Sequence, residues 1–116
     1  MTQSDKQRQG QLGEDAALAH LQQHGLRLIE RNFRCKGGEI DLIMEHQCTL
    51  VFVEVRQRAD RSHGGAAASI TIAKQRRLIV AAQVYLLGLK KVPPCRFDVV
   101  AIDGNDLHWL QDAIQM

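Results

Sequence analysis

The sequence predicts a single α/β domain in which a mixed β-sheet is flanked by helices, with elements in the order α-β-β-β-α-β-(β). Three observations lead there. Gly38 to Arg58, "GEIDLIMEHQCTLVFVEVRQR", holds two apolar runs split by a short polar break, the pattern of an antiparallel hairpin. A stretch of helical periodicity precedes it. A second helical stretch separates it from "CRFDVVAI", a strand of buried type, and a helix crossing between strands implies a mixed sheet with helices packed on it.

The elements follow in order. Residues 1–9 are polar and read as a flexible tail, which leaves 10–116 as one domain. Leu12, Ala16, Ala19 and Leu21 recur at helical spacing between Gln11 and His24, and Gly25 is a natural stop. "LRLIERNFR" reads as a strand of imperfect alternation, and Lys36-Gly37-Gly38 turns the chain into the hairpin. "ADRSHGGAAAS" reads as a mobile loop, given backbone freedom by Gly64-Gly65. The second helix runs from about Thr71 to Leu87, with Ile72, Leu78, Ile79, Ala82 and Leu86 available to cover a sheet. Pro93-Pro94 ends that region before "CRFDVVAI", and "DLHWLQDAI" reads equally as an edge strand or a short helix.

Side chains alternate across a strand, so the hairpin's faces can be read directly. Ile40, Leu42, Met44, Val51, Val53 and Val55 form an apolar face; Glu39, Asp41, Ile43, Leu50, Phe52, Glu54 and Arg56 fall on the other. A two-residue loop at Gln47-Cys48 would set Asp41 directly opposite Glu54, with Cβ atoms roughly 4.5–5.5 Å apart. Two carboxylates that close repel unless a proton or a cation lies between them. Hard oxygen ligands on adjacent strands suit Mg²⁺, which takes one or two protein carboxylates and keeps several waters. Such an ion can polarise a phosphodiester and lower the pKa of a bound water, and a neighbouring cation can stabilise the developing charge. An ordinary charged, exposed sheet face is the bland alternative.

Composition narrows the partners. The formal charge of +2 over 116 residues is too small to imply nucleic-acid binding by itself. Its distribution is uneven: Arg56, Arg58, Arg61, Lys74, Arg76 and Arg77 stand against the single acid Asp60 between positions 56 and 77. A local basic stretch beside a carboxylate pair suits a polyanion held near a metal. Cys35, Cys48 and Cys95 have no CxxC spacing, which excludes a disulfide framework and a zinc knuckle and points to reduced thiols in the cytoplasm. The polar N-terminus has no signal-peptide core, and the longest apolar run is shorter than the about 20 residues a membrane helix needs.

"GEIDLI", "LVFVEVR" and "RFDVV", preceded by "GQLGEDAALAHLQQHGLRLIERNFR", resemble the small bacterial YraN family over about Gly10 to Ile102. That family is assigned to the restriction-endonuclease-like, PD-(D/E)xK, superfamily beside archaeal Holliday-junction resolvases. The resemblance implies a restriction-endonuclease-like core and a metal-dependent endonuclease acting on DNA, including branched or otherwise structured DNA. Asp41 would match the central metal-binding aspartate and Glu54 the acid of the (D/E)xK element. Glu14 would match an additional helix glutamate, so that Glu14, Asp41 and Glu54 together hold Mg²⁺, with Mn²⁺ as a substitute. The element ends here in Arg56 rather than lysine; arginine stays protonated but can still clamp a phosphate. Asp41, Glu54 and Arg56 are thus the catalytic set, and Arg58, Arg61, Lys74 and Arg77 would track the DNA backbone. A homodimer would suit a junction's symmetry.

The departure at Arg56 equally admits a nuclease fold retired from catalysis and used to bind DNA or dock a protein. Other residues carry plainer expectations. Glu39 is either a further metal neighbour or one half of an ion pair, and Asp98 should form a buried ion pair with Arg96 or another basic residue. His20 and His24, one helical turn apart, read as helix-surface histidines without a third ligand, and His63 as an ordinary loop residue. Tyr85 and Trp109 read as core residues, and the scarcity of aromatics argues against a stacking single-strand binder.

Overall fold

A computed structural model describes residues 5–59 and 64–116. Arg61 and His63, and the start of the expected tail, lie outside the described residues. The observed elements are α1 (Asp5–Gln23), β1 (Arg27–Cys35), β2 (Gly38–His46), β3 (Thr49–Arg58), a single turn α2 (Gly65–Ala68), α3 (Ile72–Leu87), β4 (Cys95–Asp103) and β5 (Asp106–Ile114). The strands form one sheet in the order β1-β2-β3-β4-β5. β3 and β4 are parallel, joined through α3; the other neighbours are antiparallel. The sheet is therefore mixed, as the sequence predicts.

α1 begins at Asp5, ahead of the expected Gln11. One Gly10 inside a helix costs only about 1 kcal/mol, so it does not set the boundary. Its buried side also differs from the expected stripe. Gly13, Ala17 and Leu21 face the sheet, whereas Leu12 is 61% exposed and Ala16 and Ala19 are exposed. Spacing of four residues keeps this face in line, and small side chains let the helix settle close to β3, where a Cβ on Gly13 would collide with Gln57. A pattern search weighted towards large apolar residues does not see a close-approach face of that kind.

Two core layers result. Under α1 lie Leu42, Met44, Val51, Val53, Val100 and Ile102. Under α3 lie Ile43, Leu50, Phe52, Phe97, Val99 and Ala101, met by Leu78, Ala81 and Ala82. Ile79 and Leu86 are partly buried against this second layer, while Ile72 is 64% exposed at the helix start and covers nothing. Each hairpin face is thus roofed by a helix along most of its length. Gly38 admits α3 onto β2, because a Cβ there would run into the backbone carbonyl of Arg77.

The ambiguous segment after β4 is a strand. Gly104, at φ 59°, turns the chain between Asp103 and Asp106, so β5 folds back on β4 as the sheet's edge. "GAAA", read as loop from the sequence, forms one helical turn whose first amide at Ala66 donates to Asp103 Oδ1 at 2.7 Å. Tyr85 meets Phe33 and Phe52 edge-on and so belongs to the α3-side core.

Candidate metal and phosphate site

The hairpin turns at Gln47-Cys48, with His46 paired to Thr49 and regular pairing as far as Leu42 with Val53. Continued by one residue, that register sets Asp41 opposite Glu54. The backbone ladder opens at this point: the Val55 N–H donates to Asp41 Oδ2 at 2.8 Å. Side-chain alternation breaks there too. Ile40 was expected beside Leu42 and Met44, but it lies in the α3-side layer while they lie under α1. On the adjoining strand Asn32 stands at φ 54°, and Phe33 and Arg31 likewise reach opposite faces. Asparagine tolerates this left-handed conformation better than other residues with a Cβ. The irregularity in β1 and β2 aims the Asp41 carboxylate at β3 and at the cleft beside α1.

Burial pushes Asp41 up to about 6, reinforced by the charges of Glu14 and Glu39 and opposed by the Val55 N–H and by Arg56. Burial likewise pushes Glu54 up to about 8, with repulsion from Asp41 and Glu39 adding to it and Arg56 and Lys74 opposing it. Desolvation and mutual repulsion act in the same direction, so the pair retains a proton near neutrality in the absence of a cation.

Glu14 reaches this neighbourhood from α1 but is already engaged. Its Oε1 accepts from Arg31 Nε at 3.0 Å and Nη2 at 2.9 Å, and from Asn32 Nδ2 at 3.3 Å. Arg31 also holds Asp15 at 2.7 Å, and these contacts raise its own pKa. Glu14, Asn32, Arg34, Glu39, Asp41, Val55, Arg56 and Arg58 all line a cleft of about 530 Å³. A second depression of about 470 Å³ adjoins it on the α3 side, lined by Glu54, Lys74 and Arg77 and sharing Arg34, Glu39 and Arg56 with the first. Arg56 therefore stands between the two.

The Arg56 guanidinium is held by Ser69, whose Oγ accepts from Nε at 3.1 Å. Its contact with Glu54 is looser, with Nη1 3.6 Å from Oε1. Lys74 points to the same place, its Nζ 3.5 Å from the Ser69 carbonyl, and its pKa is lowered by burial and by Arg56, Arg58 and Arg77. The Lys74 amide is capped by Thr71 Oγ1, so the lysine rides on the first turn of α3. Arg56, Arg58, Lys74 and Arg77 thus gather around the acids. Glu39 sits at the rim in an exposed pair with Arg34 at 3.6 Å.

Among the described residues, no group of three or more His, Cys, Asp or Glu side chains closes as a metal cluster. The donor set nonetheless fits a cation that takes two protein oxygens and completes its shell with water and phosphate. Asp41 and Glu54 are hard, desolvated acceptors with few donors of their own, whereas Glu14 is tied to Arg31 and Asn32.

On β4, beside Val53, lies a different acid. Asp98 is fully buried and accepts from Arg96 Nε at 3.0 Å, Trp109 Nε1 at 2.9 Å and the Asp112 amide at 2.9 Å, so the expected pair with Arg96 is present and forms part of a larger network. Arg96 Nη2 also reaches His46 Nδ1 at 3.0 Å. His20 and His24 stack with ring centroids 4.4 Å apart, both edge-on to Trp109, and join this structural cluster. Sequence reasoning did not single out Arg31, Asn32 or Ser69. Of these, only an asparagine in a strand carries a local signal, its tolerance of positive φ.

The model of the uncharacterised protein family UPF0102 matches residues 13–102. The chain is 65% identical over 106 residues to a UPF0102 protein of Herminiimonas arsenicoxydans, covering 91% of this chain and 86% of that one. It is 62% identical over 110 residues to a UPF0102 protein of Janthinobacterium sp. (strain Marseille), covering 95% and 89%. A UPF0102 protein of Cupriavidus taiwanensis is 62% identical over 109 residues, covering 93% and 83%. No helix among the described residues is long and apolar enough to cross a membrane.

Proposed function

The chain belongs to the uncharacterised protein family UPF0102, the YraN family its motifs resemble, and for it we propose a metal-dependent endonuclease acting on DNA, branched or otherwise structured DNA included. The observation that carries this reading is the pairing of two desolvated carboxylates, Asp41 and Glu54, whose burial and mutual repulsion the neighbouring Arg56 only partly offsets. Buried acids with strongly shifted pKa values in a cleft are marks of a functional site. Asp41 and Glu54 would hold Mg²⁺ or Mn²⁺, with Glu14 behind them, fixed by Arg31 and adding negative potential. When bound, the ion supplies a polarised phosphate and an activated water.

The chain's own groups do the remaining work. Glu54 would hold the ion as a carboxylate, and because its pKa is raised to about 8, uptake would be linked to proton release. Arg56 presents a fixed positive charge where negative charge would grow on the attacked phosphate. Arg58, Lys74 and Arg77 hold the backbone on either side, contacts that position DNA without reading its sequence.

Arg56 also supports a second reading. In the position where the superfamily element has lysine, a residue that cannot pass a proton suits a fold retired from catalysis and used as a DNA-binding or docking module. One experiment tests both readings: calorimetric titration of Mn²⁺ into the wild type, Asp41→Asn and Glu54→Gln, followed by cleavage assays on linear and branched duplexes. Saturable uptake lost in both variants, with metal-dependent cleavage, supports the nuclease. Uptake without cleavage of any substrate favours the module, and absence of uptake counts against the nuclease and favours the module as well.

A further inference from the structure

We propose that Ser69 is a positioning residue that holds Arg56 away from Glu54, keeping the carboxylate open to a cation and the guanidinium open to a phosphate. The inference rests on the metal-site reading above and adds a residue from outside the sheet. Glu54 and Arg56 are two apart on β3, so they share a face, and their side chains are only 16% and 22% exposed. An arginine beside a poorly solvated carboxylate would ordinarily close on it with short, bidentate hydrogen bonds. Here it does not: the approach to Glu54 is 3.6 Å, while Nε donates to Ser69 Oγ at 3.1 Å.

The chemistry of the hydroxyl explains why Ser69 can compete. A serine has one proton to give, and Ser69 gives it to the Ala66 carbonyl at 2.6 Å. Its oxygen is left with lone pairs only, aimed at Arg56, so it is a prepared acceptor. Ser69 is in turn fixed through α2, whose Ala66 amide donates to Asp103 Oδ1 at the end of β4. Gly65, at φ 78°, lets the backbone pass so close that a Cβ there would meet the same carboxylate at 2.8 Å. The Ser69 carbonyl also receives Lys74 Nζ. One residue therefore tethers both cations that flank Glu54, and it does so from an element anchored on a different strand.

The test is a double-mutant cycle read by Mn²⁺ calorimetry, which needs no DNA. In Ser69→Ala, Arg56 loses its acceptor and closes on Glu54, and Mn²⁺ affinity falls about tenfold, the worth of one charge-assisted hydrogen bond. Ser69→Thr, which keeps the hydroxyl, restores it. In an Arg56→Met background the same Ser69→Ala change has no effect on Mn²⁺ uptake. Wild-type uptake that is unchanged in Ser69→Ala overturns the proposal and leaves the metal-site reading standing. A loss that persists in the Arg56→Met background also overturns it, by showing that Ser69 matters only to the fold of α2. Absence of uptake in the wild type overturns both.

Discussion

Asp41 and Asp98 invite comparison because each interrupts a strand ladder in the same way. Asp41 takes the Val55 amide at 2.8 Å, and Asp98 takes the Asp112 amide at 2.9 Å. Each faces a strand irregularity marked by a residue in the left-handed region, Asn32 at φ 54° in one case and Asp112 at φ 50° in the other. They differ in what else they receive. Asp98 has two contacts on each oxygen, from Arg96, Trp109 and Asp112, and a guanidinium within the same network. Among the described residues Asp41 has one backbone donor, and its charged neighbours are Glu14 and Glu39 with Arg56 opposing them. Burial of a charge is tolerated when its lone pairs are filled, and Asp98 meets that condition within the fold. Asp41 and Glu54 meet it only with a proton or a cation from outside. The first acid is satisfied within the fold, and the second pair is not.

The comparison can be broken most forcefully at Asp98. Asp98→Ala would leave the Trp109 N–H and the Asp112 amide without their acceptor and Arg96 without its counter-charge, and should cost about 3–5 kcal/mol in urea unfolding. A change under 1 kcal/mol would mean the network is not structural.

The acid cleft should respond in the opposite sense. The Glu54 carboxyl is raised from 4.5 to about 8 and Asp41 from 3.8 to about 6, so the folded state prefers both protonated. Their contribution to stability is full below pH 4 and is lost as the pH rises through about 6 and about 8. Metal-free Glu54→Gln should therefore be more stable than the wild type at pH 9, by roughly 2–4 kcal/mol, and close to it at pH 5. Equal pH profiles for the two proteins would show that Glu54 is not strained. The smallest effect sharpens the count of donors: Trp109→Phe removes one of Asp98's hydrogen bonds and should cost about 1–2 kcal/mol while leaving Mn²⁺ uptake unchanged.

Much of this molecule was legible without coordinates. Local rules set the hairpin: a two-residue turn and period-two alternation fix the register from His46–Thr49 to Leu42–Val53, and Asp41 and Glu54 follow where that ladder ends. The Arg96–Asp98 pair was legible for the same reason, since residues two apart on a strand share a face. The departures have physical causes. Ile40 left its expected face because alternation fails where β1 and β2 are irregular, and the α1 stripe was misjudged because close packing selected Gly13 and Ala17 over Leu12. Glu14 was placed at the site from the sequence, but its capture by Arg31 was not.

What the sequence determined by itself is the order of the elements from α1 to β4, α2 excepted, and the hairpin register, both consequences of short-range periodicity and turn chemistry. What only the tertiary structure decided is how many donors each acid receives. Val55 reaching Asp41, Arg31 reaching Glu14, Asp112 and Trp109 reaching Asp98, and Ser69 reaching Arg56 are contacts between segments far apart in the chain. Their existence depends on helix and strand packing, which no local pattern encodes, and that packing is what separates a finished carboxylate from an open one.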